Sequence, residues 1–261
     1  MVEQPVLSVK NLKTYFYLKE RVIKAVDGIS LDVYKGRITA IVGGSGSGKS
    51  VMSLSIFDLV EKPGKIVSGE IWLNGVNLRN LREGQFRKIR GRQISMIFQE
   101  PASSLNPVLK VKKHFSEVIR SHNIAVSSKE ALCMFQDVLS RVGLKNTGQI
   151  LESYPFELSG GMCQRVMVAM GLLANSQVLI ADEPTSSLDL TTQAAILDEL
   201  VRLKNEGLAI VLITHDLGVV AQMADDVYVL KDGKIVDSGT VYKVFESPKH
   251  DYTKALLASI F

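Results

Sequence analysis

The segment Gly43-Gly44-Ser45-Gly46-Ser47-Gly48-Lys49-Ser50 fits the pattern G-x-x-x-x-G-K-[ST] and constrains the fold more than any other feature of the chain. Its glycines let successive backbone N–H groups turn inward around phosphate oxygens, and a helix starting at its end directs a positive dipole at the same anion. A strand must therefore precede it and a helix must follow. Ile38 to Val42 is a short apolar run bounded by glycine, which suits a strand buried on both faces, and the residues after Ser50 read as a helix. Lys49 is expected to neutralise the β- and γ-phosphates of a nucleotide, with the Ser50 hydroxyl placed to ligate the Mg2+ that bridges them.

The run Val178-Leu179-Ile180-Ala181-Asp182-Glu183 delivers two adjacent carboxylates to the end of another buried strand. Unpaired acids are costly to desolvate there, so they need a cation or a proton to handle. Asp182 suits Mg2+, which leaves Glu183 free to accept a proton from attacking water.

A third run, Ile210 to Thr214, completes the expected parallel core. From Thr191 to Asn205 the apolar positions Ile196, Leu197, Leu200, Val201 and Leu203 recur at helical spacing, which makes a βαβ unit between the second and third runs. Nearer the amino terminus, Val6 to Val9, Ile29 to Val33 and Gly69 to Leu73 read as strands of an antiparallel sheet. Residues 99–170 lack strand signals and contain helical patterns such as Ala131 to Val142. The expectation is a single α/β domain: residues 1–98 and 171–261 form the core with its antiparallel β-subdomain, and 99–170 form an inserted helical subdomain.

Composition serves mainly to exclude. With 46% hydrophobic and 22% charged residues the chain is an ordinary globular protein. No stretch approaches the roughly 18 apolar residues that a membrane span requires. The start, Met1 to Pro5, has no positive cluster followed by an apolar run, so no secretory signal is read and a cytosolic location is expected. Cys133 and Cys163 are read as free thiols. The net charge of +4 is spread without a dense basic block, which favours a solvated surface over a nucleic-acid site.

Leu158-Ser159-Gly160-Gly161 precedes a helical segment and lies shortly before the Asp182-Glu183 strand. Ser159 can cap that helix while the glycines allow backbone approach to a second phosphate. With this tetrapeptide the sequence resembles the ABC ATPase family. The resemblance implies a P-loop, RecA-like core that binds ATP with Mg2+. It further implies a head-to-tail dimer in which Ser159, Gly160, Gly161 and Met162 of one chain face the nucleotide of the other. Met162 stands where the family usually has glutamine and is followed by Cys163; both are expected to pack.

Further positions are similar to family elements. Gln99 resembles the Q-loop glutamine that senses Mg2+ and the attacking water. Ser187-Leu188-Asp189 resembles the D-loop, with Asp189 reaching across the dimer, and His215 resembles the switch histidine that contacts the γ-phosphate. Alignment on Val9-Lys10-Asn11-Leu12 favours Phe16 for stacking on adenine, with Tyr15 and Tyr17 as alternatives. The implied catalytic set is Glu183, His215, Gln99 and Lys49, and the implied Mg2+ set is Ser50, Gln99 and Asp182.

At a finer level, Gln99 to Pro107 and Ser247 to Leu257 look like the peptide and nickel importer subfamily. The end at Phe261, Val42-Gly43-Gly44, Tyr154-Pro155-Phe156-Glu157 and Gly161-Met162 are more similar to nickel-importer subunits, so nickel or a metal chelate is the expected cargo and a di- or oligopeptide the alternative. The resemblance also implies a second ATPase chain, preferably a different one, two membrane permease subunits and an extracytoplasmic substrate-binding protein. The chain is then expected at the cytoplasmic face of the membrane, with no nucleic acid among its partners.

Overall fold

The computed structural model describes residues 4–98, 104–122, 124–186 and 188–258. Strands β1 (Leu7–Tyr17), β2 (Val22–Val33), β4 (Gly64–Leu73) and β5 (Val76–Asn77) make an antiparallel sheet in the order β2-β1-β4-β5. Strands β3 (Ile38–Val42), β6 (Ile94–Ile97), β7 (Val178–Asp182), β8 (Ala209–Ile213), β9 (Asp226–Lys231) and β10 (Lys234–Thr240) make a second sheet in the order β10-β9-β3-β8-β7-β6. All its pairings are parallel except the terminal β9–β10 hairpin.

The expected strands are present, and β1 and β2 are longer than their apolar runs indicate. In β1 the alternation of side chains breaks at Lys10-Asn11, where Asn11 takes φ +47° and the register with both neighbouring strands shifts. Such a bulge adds one residue to one strand, so period-two reading stops there although the strand continues. Gly69 on β4 faces the bulge: a Cβ there would lie 2.5 Å from the Leu12 Cα.

The parallel strands alternate between two apolar layers. Ile41, Val178, Ile180, Val211 and Ile213 pack with Leu7, Val9 and Leu12 of β1 and with Met52 and Ile56 of α1 (Lys49–Ile56). Ile38, Ala40, Val42, Leu179, Ala181, Ile210 and Leu212 face the opposite layer, which is covered by helices. Full burial of each larger side chain contributes about 1.5–3 kcal/mol, so these layers hold the strand ends in fixed register.

A short helix, α2 (Glu83–Phe86), leads into β6. Between β6 and β7 the chain forms α3 (Val111–Ser121), α4 (Ser128–Arg141), α5 (Thr147–Glu152) and α6 (Gly160–Leu173). Phe115 and Phe135 meet at their core with ring centroids 5.2 Å apart. Helix α6 returns to the sheet, where Gly171 lets Ile97 approach: a Cβ there would be 3.0 Å from Ile97 Cγ1.

The chain then continues through α7 (Leu190–Asn205), α8 (Leu217–Met223), α9 (Val241–Glu246) and α10 (Asp251–Ala258). One ionic cluster joins α4 to α7. Glu199, 7% exposed, accepts from Arg141 Nε at 2.8 Å and from Arg202 Nε at 2.8 Å. Burial alone would raise the Glu199 carboxyl, but the hydrogen bonds from Arg202 and Arg141 outweigh it and hold it below its ordinary value.

Candidate functional site

The loop 43–48 connects β3 to α1, and glycine is required where the loop turns. Gly48 takes φ +104° at the start of α1, and a Cβ on it would lie 2.1 Å from the Ala25 carbonyl oxygen. The first turn of α1 has no acidic residue and no capping side chain, which leaves its N–H groups free to meet an anion. Lys49 folds back over the loop and donates to the carbonyls of Gly43 at 2.8 Å and Gly44 at 3.0 Å. Burial pushes the Lys49 ammonium down, while Glu183 and Asp182 pull it up.

A cavity of about 390 Å³ opens over this loop, lined by Gly43, Ser45 to Val51, Ala25, Asp182, Glu183 and His215. The structure thus brings together the glycine loop, both carboxylates and the histidine. Gly44 belongs to the loop but does not line the cavity.

Asp182 ends β7 with 2% exposure. Burial raises its carboxyl above the ordinary value, with hydrogen bonds from Ser50 and Ser53 and the Lys49 charge opposing. Among the described residues its Oδ1 is buried without a hydrogen-bond partner. An orphaned acid oxygen beside the Ser50 hydroxyl is a donor set suited to a hard divalent cation such as Mg2+.

Glu183, 8% exposed, follows with φ +51°, a conformation that costs a non-glycine residue roughly 1–2 kcal/mol. The turn directs its carboxylate at His215, with Oε1 2.8 Å from Nδ1 on the exposed ring. Its backbone is held from several sides. The Glu183 N–H donates to the Ile213 carbonyl at 2.9 Å, and the Glu183 carbonyl accepts from Ser186 Oγ at 3.2 Å. Gln164 on α6, fully buried, donates through Nε2 to the Pro184 carbonyl at 2.9 Å and to that of Glu183 at 3.5 Å. Sequence reading passes over Gln164. The available signal is an amide at helical spacing from the buried Met167 and Val168, where an apolar residue is expected.

Ser159, Gly160, Gly161, Met162, Asp189 and Phe16 do not line this cavity. Ser159 caps α6 and accepts from the Met162 N–H at 3.3 Å, with Gly160 and Gly161 in its first turn. Met162 packs against the apolar layer, and Cys163 is buried with its thiol 3.3 Å from the Pro155 carbonyl. Cys163 and Cys133 are both free thiols. Asp189 is the N-cap of α7, accepting from Thr192 N at 3.0 Å and Thr192 Oγ1 at 2.8 Å.

Phe16 is half-buried and packs near Gly64, where a Cβ would be 2.7 Å from its Cε1. Tyr15 donates to Asp27 at 2.6 Å, and Tyr17 is exposed. None of the three lines the cavity over the phosphate loop. Gln99 and Ser187 lie outside the described residues.

The profile of the ABC transporter family matches residues 26–186. The chain is 48% identical over 256 residues to the oligopeptide transport ATP-binding protein AppD of Bacillus subtilis (strain 168), covering 97% of this chain and 78% of that protein. It is 42% identical over 261 residues to the dipeptide transport ATP-binding protein DppD of Lactococcus lactis subsp. cremoris (strain MG1363), covering 100% of this chain and 75% of that one. Among solved structures, a dimeric ATP-binding cassette in a post-hydrolysis state bound to ADP and Pi superposes with a TM-score of 0.82 at 29% identity, covering 90% of this chain and 98% of that one.

These relatives are named for oligopeptide and dipeptide transport, the cargo class expected from the sequence as the alternative to nickel. The chain belongs to the ABC transporter family, as an ATPase whose hydrolysis of ATP is coupled to transport.

Proposed function

We propose that the chain is the ATP-hydrolysing subunit of a peptide importer, working as one half of an ATPase dimer beneath a membrane permease. The observation that carries the ATPase reading is the cavity in which the glycine loop, Lys49, Asp182 and the Glu183–His215 pair converge. The peptide reading rests on likeness to proteins named for oligopeptide and dipeptide transport. Among the described residues no helix is long and apolar enough to cross a membrane. In this reading the chain docks at the cytoplasmic face of the membrane on two permease subunits. The partner ATPase is a second, different chain, and an extracytoplasmic protein delivers the cargo.

The residues divide the chemistry as follows. Lys49 releases the Gly43 and Gly44 carbonyls and turns to the β- and γ-phosphates, while the free N–H groups of α1 meet the same anion. Asp182 and Ser50 would hold Mg2+, with Gln99 as a third ligand, and the ion would supply neutralisation of charge on the phosphate oxygens. Glu183 accepts the proton of the attacking water, and His215 keeps that carboxylate oriented through its 2.8 Å contact before turning to the γ-phosphate. Phe16 stacks on the adenine. Ser159, Gly160, Gly161, Met162 and Asp189 serve the nucleotide of the partner chain, and the helices of residues 99–170 carry the motion to the permease.

Glu183→Gln keeps the shape of the site and removes the base. The assembled transporter should bind ATP normally and lose turnover by at least two orders of magnitude, within the range attributed to a positioned general base. Normal hydrolysis would remove Glu183 from that role. Uptake by a deletion strain on limiting peptide and on limiting nickel tests the cargo: a defect restricted to nickel would overturn the peptide reading.

A further inference from the structure

The segment Ser247 to Leu257 has no part in the chemistry above, yet it reaches the phosphate loop. We propose that Tyr252 is a positioning residue for that loop, acting through its hydroxyl on the Gly43–Gly44 peptide. The inference rests on the reading of Gly43 to Ser50 as the phosphate site. The Tyr252 hydroxyl accepts from the Gly44 N–H at 2.7 Å. The carbonyl of the same peptide unit, on Gly43, accepts from Lys49 Nζ at 2.8 Å. One peptide plane is therefore held at both ends, from the nucleotide side by Lys49 and from the outer side by Tyr252.

The arrangement has consequences because this peptide joins two glycines, the least restrained linkage a backbone offers. When Lys49 turns to a phosphate the carbonyl end is released, and Tyr252 alone retains the plane. The fit is close: a Cβ on Gly44 would be 3.1 Å from the hydroxyl, and one on Gly43 would be 2.3 Å from the Leu230 carbonyl oxygen.

Tyr252 is itself fixed. Its N–H donates to His250 Nδ1 at 3.0 Å, and Lys231 Nζ lies 5.1 Å from its ring centroid. The strap is tied to β10 by Asp237, 7% exposed, which accepts from Lys249 N at 2.8 Å and His250 N at 3.3 Å. The chain from Asp237 through His250 to Tyr252 is thus an outer brace that ends on the phosphate loop.

Tyr252→Phe removes only the hydroxyl. The dissociation constant for ADP, measured on the purified full chain well below the Tm of each variant, should rise about three- to tenfold, the range one lost hydrogen bond spans. In the assembled transporter KM for ATP should rise with it while kcat stays within about twofold. Asp237→Asn, which loosens the strap without touching the ring, should raise the ADP constant in the same direction. A Tyr252→Phe constant within twofold of wild type overturns the proposal, as does a fall in kcat at unchanged KM. A lowered Tm with unchanged affinity leaves Tyr252 a merely structural residue and overturns it equally. Wild-type protein that binds no ADP would instead remove the reading of the phosphate site on which the inference stands.

Discussion

Gln164→Glu separates a bracing amide from ordinary packing more sharply than truncation does. The substitution keeps the size and shape of a fully buried side chain and replaces its NH2 donor by an acid oxygen, facing the carbonyls of Pro184 and Glu183. An ionised carboxylate there would oppose two acceptors without water, so the variant folds with the acid protonated and donating to Pro184. A group whose folded pKa lies above its unfolded value near 4.3 loses about 1.4 kcal/mol of stability per pH unit as pH rises between the two. The cost is then roughly 1 kcal/mol at pH 5 and close to 4 kcal/mol at pH 7, a large part of the 5–15 kcal/mol that holds a typical domain. Urea unfolding of wild type and variant at both pH values measures the difference directly. Gln164→Met is the companion: it removes the donor to Pro184 but also deletes the amide Oε1, which among the described residues is buried without a partner. These terms of about 1–3 kcal/mol offset, so its stability should stay within about 1.5 kcal/mol of wild type while turnover falls, because the strained Glu183 backbone has lost a brace. Equal stability of Gln164→Glu and wild type at pH 7, or a deficit independent of pH, would refute the reasoning.

Two other substitutions probe the same cavity. Asp182→Asn should stabilise the nucleotide-free chain at neutral pH and abolish Mg2+-dependent nucleotide binding; since burial holds the carboxyl above 3.8, the stability gain should grow as pH rises from that value, and a gain that shrinks toward neutrality would contradict it. Gly48→Ala meets both a left-handed backbone and a carbonyl oxygen 2.1 Å from the new Cβ, so thermal unfolding should report a loss of about 2–4 kcal/mol together with loss of ATP binding.

The phosphate loop and the Asp182-Glu183 strand end were legible because their chemistry is written in contiguous residues and their strands are short, apolar and buried on both faces. Helix α7 was equally plain from the spacing of Ile196, Leu197 and Leu200. The extension of β1 past Val9 was hidden by the bulge at Asn11, and β9, β10 and the last helices carry mixed sequences that are ordered by tertiary contacts, β9 on β3, β10 on β9 and the last helices on that hairpin. The roles of Gln164 and Tyr252 were hidden for another reason. Each acts on backbone atoms far along the chain, Pro184 and Gly44, and an acceptor or donor on the main chain leaves no mark in the residue that supplies it.

The shared carboxylate of Glu199 has a mechanical consequence. It ties α4, which belongs to the stretch between β6 and β7, to α7 through an ionic knot, with Arg141 arriving from one side and Arg202 from the other. Pulling α4 away would leave a buried anion with half its cations, a penalty of several kcal/mol, whereas turning α4 about the knot leaves both contacts in place. Swivelling therefore costs far less than sliding.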